Sequence, residues 1–191
     1  MKNKVIITDA DGVILDWQYS FTQWMARKGL QPHRTDLYNL ALCYGIGSVD
    51  MMRYITEFNN SASVAFVPPF RDAMKYIKKL HEEHGYVFHC ITSLSLDPYA
   101  GALRIQNIRN LFGTTAFEKI VCLDTGADKH EALEPYRDSG CIWVEDKPEN
   151  AQLGTDMGLD SYLMAHDHNS DNIPADMAVV NNWKELYERI T

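Results

Sequence analysis

The sequence is short of several things, and each shortage excludes a class of protein. Its 191 residues contain four cysteines (Cys43, Cys90, Cys122 and Cys141) with no Cys-x-x-Cys spacing. That argues against a disulfide framework and the common zinc patterns. Three of the four lie in apolar, strand-like runs where a small buried side chain is expected, so the thiols are read as reduced. No run of Lys and Arg exceeds two residues and the formal net charge is −8. The long-range basic field that holds a protein on nucleic acid or on an anionic membrane is therefore missing, and small ligands are the expected partners. No apolar run approaches membrane-spanning length, and the first residues meet an acidic motif too soon for a signal-peptide core. A cytoplasmic location is expected. There are no internal repeats and no low-complexity tracts.

What is present is an apolar share of 46%, enough for one core with room for a small inserted module. Strand-like runs fall at about 4–9, 86–92, 119–123, 141–145, 161–164 and 177–180. They are mostly continuous rather than alternating, as expected of strands buried on both faces. Helical patterns lie between them: Phe70, Ala73, Met74, Ile77 and Leu80 mark one face, and Trp183, Leu186, Tyr187 and Ile190 another. Strands alternating with helices predict an α/β fold, a doubly wound parallel sheet with right-handed crossovers. One interval breaks the alternation. From Asp16 to Val67 no convincing strand occurs, the helical pattern Trp17, Phe21, Trp24, Met25 opens it, and Pro68-Pro69 closes it. The expected organisation is an α/β core of residues 1–15 and 68–191 with a helical module at 16–67 inserted after the first strand. The module is balanced in charge and holds nine of the 21 aromatic residues, so the acidity belongs to the core.

The residues able to do chemistry stand at strand ends. The run Val5-Ile6-Ile7-Thr8 empties into Asp9-Ala10-Asp11-Gly12, two carboxylates at the carboxyl end of a strand, where open α/β sheets bind ligands. Asp9 could attack phosphorus and Asp11 handle the proton; an Asp-Gly turn closing a strand is the structural alternative. The second strand ends in Ile91-Thr92-Ser93. A hydroxyl with backbone amides at a strand-to-helix junction cradles phosphate, Thr92 being the better candidate and Ser93 the second, although such residues also cap helices. Lys129, after the third strand, could offset charge on a phosphate and a nucleophile, or be a solvated surface lysine. The fourth strand ends in Glu145-Asp146-Lys147-Pro148. This second acidic pair would be repelled by Asp9 and Asp11 unless a cation bound them, and Mg²⁺ fits; helix capping is again the alternative.

This ordered set of four strand ends resembles the haloacid dehalogenase superfamily over residues 1–15 and 70–165. The resemblance implies Asp9 as a nucleophile forming an aspartyl-phosphate, Asp11 as general acid/base, Thr92 and Lys129 as phosphate binders, and Asp146 as direct Mg²⁺ ligand. Asp9 and the backbone carbonyl of Asp11 would complete the metal site, with Glu145 acting through water. An aspartate at position 11 resembles the phosphatases and phosphomutases of that superfamily rather than its dehalogenases or transport ATPases, and the insertion resembles its helical cap. A finer resemblance, to the 5′(3′)-deoxyribonucleotidases, rests on DGVILDW at 11–17, FVPPFRDAM at 66–74, VFHCITS at 87–93, EKIVCL at 118–123 and NNWKEL at 181–186. Glu145 stands where aspartate is expected and Ala127 where arginine is expected, two residues before Lys129. The expected substrate is a phosphomonoester, first of all a nucleoside monophosphate, with Trp17 serving either as a stacking face for the base or as packing for the cap. Sugar-phosphate phosphatase or phosphomutase activity, and a non-catalytic phosphate-metabolite binding protein, are the rival expectations. Monomer and homodimer are both open. His89 is expected to be a core histidine, and His166 and His168 to belong to a solvated surface loop.

Overall fold

The computed structural model describes residues 4–191, with the backbone alone at positions 171 and 172. Six strands form one sheet: β1 (Val5–Thr8), β2 (Val87–Ser93), β3 (Phe117–Leu123), β4 (Ile142–Glu145), β5 (Asp160–Met164) and β6 (Ala178–Val180). All pair in parallel, in the order β3-β2-β1-β4-β5-β6. Each of the six expected runs is a strand. β1 lies at the centre, buried between β2 and β4, with Ile6 and Ile7 inaccessible to solvent, which is why its sequence is continuously apolar. The strand order reverses at β1, so the crevice at its carboxyl end is the switch point where such sheets take ligands.

The crossovers are made by α4 (Ala73–His84), α5 (Pro98–Phe112), the short α6 (His130–Leu133) and α7 (Pro148–Asp156), and α8 (Trp183–Ile190) follows β6. α4 buries Ala73, Tyr76, Ile77 and Leu80 and ends on Gly85 in the left-handed region. Two expectations for its face need correction. Met74 is about half exposed, because the buried stripe runs through Tyr76 instead, and Phe70 is buried but precedes the helix. Trp183 and Leu186 anchor α8 as expected, and the Asp72 carboxylate accepts hydrogen bonds from the Trp183 and Lys184 amides at 3.0 Å each, satisfying that helix start.

Between β1 and α4 the chain forms α1 (Trp17–Ala26), α2 (Leu40–Tyr44), α3 (Ser48–Asn59) and a 3₁₀ turn at Ala62–Phe66. Phe21 is the hub of these helices. Trp17 stacks on it at 4.7 Å, and Phe58 and Tyr44 meet it edge-on at 5.6 and 6.2 Å. The apolar cluster is continuous with that under the sheet. Both linkers of the insertion run side by side: the Asp16 amide donates to Pro68 O at 2.9 Å and the Phe70 amide to Ile14 O at 2.8 Å.

Candidate active site

A cavity of about 600 Å³ opens between the carboxyl edge of the sheet and the insertion. Asp9, Asp11, Ser93, Lys129, Glu145 and Asp146 line it from the core side, and Trp17 and Tyr38 from the insertion. Strand ends β1, β2 and β4 and the loop after β3 thus converge on one space.

Asp9 is the floor of the cavity. Its Oδ1 accepts from the Ala10 amide at 2.7 Å and lies 2.9 Å from Lys129 Nζ, while its Oδ2 has no partner among the described residues. Burial pushes its pKa up to about 6, against the pull of Lys129. Lys129 is 2% exposed and sits between two carboxylates, with Glu145 Oε2 at 2.7 Å. Burial disfavours its charge, but Asp9 and Glu145 outweigh burial and raise its pKa. It is therefore a fixed internal cation and not a solvated surface lysine. Glu145 is fully buried and fully used. Its Oε1 accepts from the Asp146 and Lys147 amides at 3.0 Å each, and its Oε2 accepts from Lys129 and from Asn150 Nδ2 at 3.2 Å.

Asp9, Glu145 and Asp146 present oxygens within 4.8 Å of one another, the single carboxylate group among the described residues close enough to share a cation. Four carboxylates, Asp9, Asp11, Glu145 and Asp146, face two buried cations, Lys129 and Arg104. The negative groups outnumber the buried cations, and hard oxygen donors suit Mg²⁺.

Asp11 turns toward α5, where Arg104 grips both its oxygens at 2.8 and 3.2 Å. Burial raises its pKa, against that pull. Thr92 and Ser93, neighbours on β2, point apart, as successive strand residues must. The Thr92 hydroxyl is buried 3.5 Å from Arg104 Nη1, whereas Ser93 lines the cavity and donates to Ala127 O at 3.0 Å. Of the two hydroxyls it is Ser93 that faces the cavity. Trp17 lines it too, but gives one ring face to Phe21 and its Nε1–H to Asn59 Oδ1 at 2.9 Å.

Three residues of this site were not anticipated. Arg104 is wholly buried, and its only sequence signal is an arginine on the apolar side of a helical pattern. His166 and His168, expected in a solvated loop, are part of the cavity wall. His166 Nε2 donates to Gly12 O at 2.7 Å, which requires the Nε2–H tautomer, and burial lowers its pKa to about 4. His168 stacks on His166 at 4.8 Å and brings Nε2 to 3.8 Å from Asp146 Oδ2. Asn169 ties the same loop down, donating to Asp146 O at 2.7 Å and Met164 O at 2.9 Å. His89, by contrast, is half-buried rather than a core residue, bonds Tyr136 at 2.7 Å and lies 3.7 Å from Glu118, away from the cavity lining.

No protein-family model matches the chain. An uncharacterised 32.4 kDa protein of Enterobacteria phage T4 is 23% identical over 205 residues, spanning 97% of this chain and 69% of the relative. Among solved structures, a haloacid dehalogenase-like family hydrolase from Streptococcus pneumoniae superposes with a TM-score of 0.65 at 12% identity, covering 98% of each chain. D,D-heptose 1,7-bisphosphate phosphatase from B. bronchiseptica, complexed with magnesium and phosphate, superposes with a TM-score of 0.59 at 12% identity over 98% of this chain and 97% of that one. The chain has the Rossmann-like α/β fold of the haloacid dehalogenase-like hydrolases. Identities this low establish the fold; activity has to be argued from the site. Among the described residues no helix is long and apolar enough to cross a membrane.

Proposed function

We propose that the chain is a Mg²⁺-dependent phosphomonoester hydrolase working through an aspartyl-phosphate on Asp9. The observation that carries this reading is the asymmetry of the Asp9 carboxylate. One oxygen is held by Lys129 and the Ala10 amide, and the other, on a residue that lines the cavity, has no partner among the described residues and is free to attack. Asp9 Oδ2 forms a bond to phosphorus as the ester P–O bond breaks, and Asp11 gives its proton to the departing oxygen. Asp11 then takes a proton from water as that water attacks phosphorus and frees Asp9 with release of phosphate. Lys129 holds charge on Asp9 and on the phosphoryl oxygens, Ser93 and backbone amides orient them, and Glu145 holds Lys129. Asp9, Asp146 and the carbonyl of Asp11 would hold Mg²⁺, which, when bound, neutralises the charge that gathers on the transferring group.

The cavity favours one phosphate and an apolar, flat remainder. Beyond Lys129 the one lysine or arginine in its lining is Lys147, while Leu37, Leu40, Met51, Met52 and Ile55 make an apolar wall with the amides of Gln18 and Asn39 among them. Tyr38, 58% exposed at the rim, offers a freer ring face than Trp17. These features support a nucleoside monophosphate with its base against Tyr38.

A phosphate-release screen with Mg²⁺ over 5′ and 3′ nucleoside monophosphates, deoxy forms included, hexose phosphates and p-nitrophenyl phosphate tests the reading. Deoxynucleoside monophosphates should lead it. Tyr38→Ala should raise KM for the best nucleotide about tenfold, the worth of one stacked base, and leave p-nitrophenyl phosphate unchanged. A hexose phosphate cleaved with about tenfold higher kcat/KM than any nucleotide would replace the substrate class. Tight binding of a phosphate metabolite with no release from any ester would replace the enzyme by a binding protein.

A further inference from the structure

α5 turns Ala100, Arg104, Asn107 and Ile108 toward the protein interior. Two of these four are residues that a helix normally gives to solvent, and a guanidinium withdrawn from water is costly unless it is paired. Arg104, 0% exposed, pairs with Asp11 alone among the described carboxylates. Nη1 donates to Oδ1 at 2.8 Å and Nη2 to Oδ2 at 3.2 Å, Nη1 also lies 3.5 Å from Thr92 Oγ1, and Nε has no partner among the described residues. The planar fork of an arginine matches both oxygens of one carboxylate, which a lysine cannot do. Asp11 keeps an edge toward the cavity, with a side-chain exposure of 24%, whereas Arg104 is not in the cavity lining. Arg104 therefore acts on anything bound there only through Asp11.

The helix that carries this fork is itself anchored. One turn further on, Asn107 Nδ2 donates to Val67 O at 2.9 Å, where the insertion returns to the core. At the other end Asp97 caps the helix through the Tyr99 amide at 2.8 Å. An aspartate at a strand end has two free torsions. Gripped at both oxygens by a group on an anchored helix, it has one orientation.

We infer that Arg104 is a positioning residue for Asp11, a two-point clamp that presents the acid/base carboxylate to the leaving oxygen in a single orientation. The inference rests on the phosphomonoesterase reading for its kinetic consequence and on the geometry of the pair for its structural one. In the reaction Arg104 exchanges no proton and forms no bond to phosphorus. Its contribution is orientation, without which Asp11 spends part of its time turned away from the ester oxygen.

The experiment is a double-mutant cycle of Arg104→Met and Asp11→Asn, read in kinetics and in melting temperature, with Arg104→Lys beside it. Arg104→Met should lower kcat about 10²-fold for an ordinary alkyl phosphomonoester, within the range of general acid/base catalysis, with KM changed less than about threefold. p-Nitrophenyl phosphate, whose leaving group needs little protonation, should lose far less. In the Asp11→Asn background the same change should cost less than about twofold, because there is no acid left to orient. Arg104→Lys, which keeps the charge without the fork, should recover only part of kcat. In thermal melts Arg104→Met leaves Asp11 buried and unpaired, so the double variant should melt above the Arg104→Met single. Kinetic losses that multiply, a rise in KM at unchanged kcat, or additive melting losses would each overturn the clamp. A wild type silent on every ester would overturn the function reading, and the melting cycle would still decide the pairing. Should Arg104→Met not fold alone, Arg104→Lys and the double variant complete the comparison.

Discussion

Asp146 and Gly12 meet with no room for a methyl group between them: a Cβ built on Gly12 would lie 2.8 Å from Asp146 Cγ and closer still to its Oδ2. Gly12 also has φ +75°, a conformation that L side chains adopt only with strain. The turn that carries Asp11 and the carboxylate after β4 are in this way packed against each other.

Gly12→Ala should therefore push Asp146 away from Asp9 and weaken Mg²⁺ binding about tenfold or more, beyond the ordinary strain of alanine at positive φ. Gly29→Ala is the control, since Gly29 has φ +79° and nothing within 4 Å of an added Cβ. Titration calorimetry with Mg²⁺ reads the difference. Equal affinities in the two variants would mean that Asp146 does not hold the ion.

Asp9→Asn should abolish phosphate release and leave the fold intact, because the amide matches the carboxylate in shape and lacks its nucleophilicity. Acid-quenched protein after incubation with a labelled phosphomonoester should carry label in the wild type and none in the variant. Wild-type turnover by Asp9→Asn would remove the nucleophile assignment.

The same residue predicts how stability varies with pH. Burial raises the Asp9 pKa from 3.8 to about 6, so between those values the folded, metal-free protein holds a proton that the unfolded chain has released. That contribution favours the fold at low pH and is lost as pH climbs through about 6. Melting curves in chelator from pH 4 to 7 should show Asp9→Asn gaining on the wild type as pH rises. Parallel curves would show that Asp9 titrates alike in both states.

Chelation should reversibly abolish phosphate release, and Asp146→Ala should raise the Mg²⁺ concentration needed for half-activity far more than Asp156→Ala. Asp156 accepts a hydrogen bond from Gln152 on the exposed side of α7 and is not part of the Asp9, Glu145 and Asp146 group. Full activity in chelator would eliminate the metal.

The sheet was legible because its central strands are buried on both faces, so Val5-Ile6-Ile7 and Ile142-Trp143-Val144 read as unbroken apolar runs that end abruptly in acids. Asp9, Lys129 and Asp146 could be picked out for the same reason: they follow strand ends at the expected edge of an α/β sheet. Sequence ranks Thr92 ahead of Ser93, whereas it is Ser93 that lines the cavity, because which of two neighbouring strand residues faces a crevice depends on how β2 sits against β1. Arg104 escaped notice because pattern reading tolerates one charged residue on an apolar helical face, and its partner lies 93 positions away. His166 and His168 escaped because a run of Asn, Asp and His looks like solvated loop. Only the fold brings that run under Gly12 and Asp146.

The paired linkers at Asp16 and Pro68 have a consequence of a different kind. Because the chain leaves the core and comes back at adjacent points already joined by backbone hydrogen bonds, everything between them is a side branch of the sheet's topology, open to lengthening, shortening or wholesale exchange with no strand reordered. Asp9, Asp11, Lys129 and Asp146 all lie outside the branch, whereas Tyr38, Leu40 and Met51 lie within it. A lineage with this architecture can inherit its chemistry from one stretch of sequence and acquire a new clientele through another.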